Sequence, residues 1–132
     1  MLVPCEIAIR FILPSVRANV AKTLMTKHKL KQADAARLLG VSQPAVSLYS
    51  RKIRGSAIEL ESEPEVKEKI EGLADALAGG GLSPMGFMSA FCEICRTARA
   101  RKMLCSLHRS FDSSVNLAKC ELCVSEDLVR CT

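Results

Sequence analysis

The six residues Leu39-Gly40-Val41-Ser42-Gln43-Pro44 constrain this chain more than any other segment, because they stop one helix and start another with almost nothing between. Upstream, Ala35, Leu38 and Leu39 recur at helical spacing, which predicts a helix from Lys31 to Leu39. Gly40 follows the last apolar residue, where a left-handed backbone ends a helix at no steric cost. Val41 plugs the corner, Ser42 is a preferred N-cap, and Pro44 stands in a first turn where it has no hydrogen bond to lose. Ala36 is small where the two helices must approach most closely. The expectation is a pair of short helices joined by a tight turn.

The second helix divides into two faces. Val46, Tyr49 and Ile53 are expected to point inward, with Gln43, Pro44, Ser47 and Arg51 on the other side. A helix held this way by its neighbour can enter the major groove of DNA, where Gln pairs bidentately with adenine and Arg with guanine. Gln43, Pro44, Ser47 and Arg51 are therefore the candidate base contacts, and Lys31, Gln32, Ser42, Lys52 and Arg54 the candidate phosphate contacts. The charge follows the same map. Residues 1–60 hold ten Lys or Arg against three Asp or Glu, a net of +7, whereas residues 61–78 carry two against six, a net of −4. The remaining +2 recovers the whole-chain +5, so positive charge gathers on the segment with the turn and favours a polyanionic partner.

From about Ser15 to Gly55 the chain closely resembles the helix-turn-helix of the λ-repressor/Cro-like (XRE-type) regulators, a resemblance carried by Gln32, Ala36, Gly40, Ser42-Gln43 and Val46. More broadly it is similar to archaeal predicted regulators of that class, which pair a Pro-Cys-Glu start (Pro4-Cys5-Glu6) with a Cys-x-x-Cys-bearing tail. The resemblance implies a sequence-specific transcription regulator of double-stranded DNA. Such a protein pairs as a homodimer on half-sites about one helical turn, ~34 Å, apart.

The 132 residues suffice for one compact domain with a small appendage. Few aromatics and no Trp leave Ala, Leu, Ile and Val to build an all-α core. No stretch approaches the roughly 20 apolar residues that span a bilayer, and the first ten residues lack the basic-then-apolar order of a signal peptide. Leu2-Val3-Pro4-Cys5 resembles a lipoprotein cleavage site only faintly, since Pro precedes the Cys and no apolar run leads in. A cytoplasmic location is expected.

Ile7, Phe11 and Ile12 suggest a short amphipathic helix that Pro14 should interrupt. A longer helix is then expected from about Ser15 to His28, with Val16, Val20, Thr23 and Leu24 buried and His28 solvated at its end. Ser62 and Glu65 fit a capping box opening a further helix. Its stripe Val66, Ile70, Leu73 and Leu77 serves either core packing or a dimer seam. Gly79-Gly80-Gly81 reads as a flexible link, after which Ser83-Pro84 restarts helix with Met85, Met88, Phe91, Cys92 and Cys95 as inner positions. The expected architecture is all-α: a helix-turn-helix DNA-binding domain over residues 1–60, a connecting and possible dimerisation helix with Gly-rich linker over 61–82, and a cysteine-rich helical tail over 83–132.

Six of the seven Cys fall in the last 41 residues, with Cys92-x-x-Cys95 and Cys120-x-x-Cys123 as spaced pairs and Cys105-x-x-His108 at the same spacing. Thiolates so spaced can face one metal, and four such ligands close a tetrahedral site. An iron–sulfur cluster also takes about four thiolates. Lasting disulfides are disfavoured in a reducing compartment, and no strand–helix–strand pattern of a Cys-x-x-Cys redox enzyme is present. The candidate ligands are Cys92, Cys95, Cys105, Cys120 and Cys123, with His108 able to replace a thiol, for either an iron–sulfur cluster or zinc; Cys92, Cys95, Cys120 and Cys123 form the natural zinc set. Cys5 and Cys131 are weaker candidates, and His108 is equally consistent with a surface side chain beside Arg109. The expected function is a non-enzymatic, dimeric DNA-binding regulator with a metal-binding tail. The alternative is a metal-binding protein-interaction adaptor without DNA specificity.

Overall fold

The computed structural model describes residues 1–124 and is all-helical, with no strand among them. Its helices are α1 (Pro4–Ile7), α2 (Leu13–Thr26), α3 (Gln32–Leu39), α4 (Gln43–Ser50), α5 (Pro64–Ala78), α6 (Pro84–Ala100) and α7 (Cys105–Phe111). A π-helical turn over Ala8–Ile12 joins α1 to α2, and short 3-10 turns cover Leu60–Ser62 and Leu122–Val124. No helix among the described residues is long and apolar enough to cross a membrane.

The centre of the molecule is α2, which packs against α3, α4, α5 and α6. Val16, Val20, Ala21 and Leu24 form its buried stripe, with Thr23 at the margin. Pro14 does not interrupt the chain here. The widened turn over Ala8–Ile12 immediately precedes it, so the helical path passes Pro14 at the first turn of α2 instead of breaking. At the far end α2 stops at Thr26, and His28 is half-buried and paired: its Nε2 lies 2.7 Å from Asp75 Oδ1 of α5, beside the Lys27 ammonium at 2.9 Å from the same carboxylate. Lys27 first, then His28, holds the Asp75 carboxyl below its ordinary range.

The α5 stripe Val66, Ile70, Leu73 and Leu77 is buried within the monomer, which decides for core packing over a dimer seam. The Ser62–Glu65 capping box does not form. Ser62 sits in the 3-10 turn and its hydroxyl donates to the Glu59 carbonyl, Glu63 becomes the N-cap, and Glu65 is drawn instead to Arg101. The Gly79–Gly81 segment is a turn: Gly80 takes the left-handed conformation (φ 73°) and α6 folds back onto α5, fastened by Lys69 to Glu93 at 2.8 Å. On α6 the inner positions are Phe91, Ile94 and Ala98, flanked by Phe87 and Cys95. Met85 (75% exposed), Met88 (58%) and Cys92 face outward, because the helix is rotated to seat Ile94 where the Met and Cys spacing had suggested a different stripe. One buried cluster consequently runs from Ile7 through Leu104.

The amino-terminal segment is tied to the far end of the chain. Leu2 N–H donates to Asp112 Oδ2 at 2.9 Å, His108 Nε2 lies 2.7 Å from the Leu2 carbonyl, and Phe11 stacks on Phe111 with centroids 5.3 Å apart.

Candidate nucleic-acid interface and thiol sites

The α3–α4 pair is built by its caps. Gly40 is left-handed (φ 69°), the Val41 N–H reaches back to the Ala36 carbonyl at 3.0 Å, and the Gly40 N–H reaches the Arg37 carbonyl at 3.3 Å. These two bonds satisfy carbonyls that the end of α3 would otherwise leave open. Ser42 Oγ accepts the Ala45 N–H at 3.2 Å, and Pro44 stands in the first turn of α4. Ala35, Ala36 and Leu39 of α3 are buried with Ala45, Val46 and Tyr49 of α4. The small alanines let the two helices approach closely.

Ile53 departs from expectation. Helix α4 ends at Ser50, Arg51 is its C-cap, and Lys52 is left-handed at φ 56°. The Ile53 N–H then bonds the Leu48 carbonyl at 3.0 Å and the Lys52 N–H the Tyr49 carbonyl at 3.0 Å. This closing turn carries Ile53 off the inner face, leaving it 65% exposed. The loop returns to the body through Gly55, also left-handed (φ 74°), whose missing side chain makes room for the Pro14 carbonyl and the Ala18 methyl.

Of the predicted base contacts, Gln43, Pro44 and Arg51 are exposed and Ser47 is half-buried on the same α4 segment. Of the predicted phosphate contacts, Lys31, Ser42, Lys52 and Arg54 are exposed and Gln32 is half-buried. Lys31 precedes α3, and Arg54 lies over the Tyr49 ring, 5.8 Å from its centroid. The other cations of the N-terminal region are partly spoken for: Lys22 pairs with Glu61, Lys27 with Asp75 and Arg37 with Asp34. Among the described residues no ion pair takes up Lys29, Lys31, Arg51, Lys52 or Arg54. The acidic residues of 61–78 thus neutralise the α2 side and leave the α3–α4 side positive.

The candidate metal ligands separate into two places. Cys105, His108, Cys120 and Cys123 line one small cavity of about 10 Å³, together with Pro4, Leu104 and Val115. Burial first, then the neighbouring Cys123 and Cys120 sulfurs, raises the Cys105 thiol above its ordinary value. His108 is buried, not a surface side chain beside Arg109. Cys92 and Cys95 line a different, largely apolar groove of about 360 Å³ with Cys5, Phe91, Arg17 and Arg99. Cys131 lies outside the described residues. Among the described residues no three Cys, His, Asp or Glu side chains converge closely enough to hold a metal ion as the chain stands.

Arg99 escaped the sequence reading, and Cys5, a weaker candidate there, is its neighbour. Cys5 is exposed, with Arg99 Nη1 3.8 Å from its sulfur. Arg99 itself is 4% exposed, and its Nε has no hydrogen-bond partner among the described residues. Burial works against its charge, but Cys123, Cys5 and Cys95 outweigh that, so the guanidinium sits above its ordinary value. Arg96, Arg101 and Lys102 stand close to Arg99 in the sequence, so nothing there marks one of these cations as buried; Cys5 of α1 and the 122–124 turn meet α6 around it. Comparison with protein-family models, with curated proteins and with solved structures gave no match to this chain.

Proposed function

We propose that this chain is a DNA-binding transcription regulator of the λ-repressor/Cro-like helix-turn-helix type, acting as a homodimer, with α4 as the helix that enters the major groove. The observation that carries the reading is the division of α4: Ala45, Val46 and Tyr49 are buried while Gln43, Pro44 and Arg51 are exposed amid cations that no acidic side chain among the described residues engages. A helix propped from behind and edged with Gln, Ser and Arg is suited to base edges, and Lys31, Lys52 and Arg54 to the phosphates on either side. Because the α5 stripe is consumed by the core, pairing of two copies falls to another surface. The C-terminal segment binds a metal, zinc or an iron–sulfur cluster, and stabilises or senses through it.

Selection from a random duplex pool tests this directly. A regulator enriches one motif, arranged as two half-sites about one turn apart, and its affinity falls steeply with salt. Gln43→Ala should lose ~1–3 kcal/mol of discrimination at one base position. No enriched motif and a flat salt dependence would leave the adaptor reading in its place, and equal losses on matched and mismatched sites would remove Gln43 from the base contacts.

A further inference from the structure

We infer that Cys105, His108, Cys120 and Cys123 form a structural zinc site that clips the segment after α7 to the helical body, and that Cys92 and Cys95 are not part of it. The inference deepens the metal-binding reading above and rests on it.

Four observations carry it. First, the four residues are the Cys and His side chains that line a single small cavity, drawn from α7 and from the stretch closed by the Leu122–Val124 turn. Their order in the chain, Cys-x-x-His followed after eleven residues by Cys-x-x-Cys, presents two ligand pairs, each able to span one metal. Second, the donor count suits one tetrahedral zinc: this place offers three thiols and one imidazole, short of the roughly four thiolates that a multi-iron cluster takes. Third, His108 is already oriented. The Leu2 carbonyl can only accept, so His108 Nε2 donates to it at 2.7 Å, which leaves Nδ1 as the nitrogen available to a metal. A ligating His typically gives its other N–H to a carbonyl in this way. Fourth, no residue from Arg109 to Val124 is buried. A stretch with no core of its own needs another tie, and metal–ligand bonds supply one. Binding would draw the four donors inward from their present lining positions, as expected where ligation and local ordering are coupled.

The test uses the full chain purified without oxygen. Metal analysis should find about one zinc per chain, and X-ray absorption at the zinc edge should fit three sulfurs near 2.3 Å and one nitrogen near 2.0–2.1 Å. Cys120→Ser and Cys105→Ser should each abolish stoichiometric zinc, while the double variant Cys92→Ser/Cys95→Ser and the single Cys5→Ser should retain it. The absorption measurement reads the folded wild-type protein, so it decides even if a ligand variant fails to fold. Four sulfurs around zinc, or zinc lost with Cys92 and Cys95, would overturn this ligand set while leaving a metal-binding tail intact. Iron with sulfide would overturn zinc, and no metal at all would overturn the tail reading as well. DNA selection is independent of each of these outcomes.

Discussion

Gly40 and Gly55 are both left-handed, at φ 69° and 74°, yet an added methyl meets very different surroundings at each. At Gly40 a Cβ would find nothing within 4 Å. Gly40→Ala should therefore cost only the left-handed conformation, ~1–2 kcal/mol. At Gly55 the Cβ would lie 2.5 Å from the Pro14 carbonyl oxygen and 2.8 Å from the Ala18 Cβ. Neither contact is the end of a flexible side chain, so the loop or α2 must shift. Overpacking of that kind adds ~1–3 kcal/mol, for a total of ~2–5 kcal/mol in Gly55→Ala. Urea titration followed by far-UV circular dichroism measures both variants, with unchanged m-values certifying that the midpoints report stability. Because the shift moves the loop holding Lys52 and Arg54, Gly55→Ala should also weaken DNA binding at temperatures where it remains folded. Equal costs at the two positions would refute the close approach of this loop to α2.

Further expectations concern charge and burial. Lys52→Gln should lower the slope of log affinity against log salt by about 1 per half-site and weaken all sequences alike, checked by fluorescence anisotropy across a salt series; an unchanged slope would remove Lys52 from the phosphate contacts. Ser15 is fully buried with no partner for its hydroxyl among the described residues, so Ser15→Ala should raise stability by ~1–3 kcal/mol in the same urea assay, and a loss would mean the hydroxyl is satisfied. Asp112 titrates at about 2, below its ordinary 3.8, held there by the Ser114 hydroxyl first and then by the Leu2 and Ser114 backbone amides. A depressed carboxyl stabilises the fold above its ordinary value and loses that contribution as pH falls towards 2. Carboxyl-carbon NMR of Asp112 should give that midpoint, and Asp112→Asn, which has no carboxyl to protonate, should make unfolding less sensitive to acid; a midpoint near 3.8 would dissolve the Leu2–Asp112 tie.

Local chemistry was legible wherever a residue acts on its immediate neighbours. Gly40, Ser42 and Pro44 specify a helix stop and a helix start through backbone sterics and one side-chain hydrogen bond, and the structure places the ends of α3 and α4 accordingly. The spacing of Val66, Ile70, Leu73 and Leu77 likewise marks a buried stripe, because helical periodicity is a property of the chain alone. What covers that stripe is a different matter. Whether α5 faced a second copy or its own core depended on α2 arriving beside it, just as Ser62 lost its cap when Glu65 found Arg101 thirty-six residues away. The sequence likewise shows the thiols and their Cys-x-x-Cys spacing, which grouped Cys92 and Cys95 with the distant Cys120 and Cys123. Only the folding of α6 and α7 separates Cys92 and Cys95 from Cys105, His108, Cys120 and Cys123, and only the packing of α1 brings Cys5 to Arg99. Caps and periodicities are short-range and written locally; partners across a fold are selected by which surfaces exclude water together, and that is decided by all the helices at once.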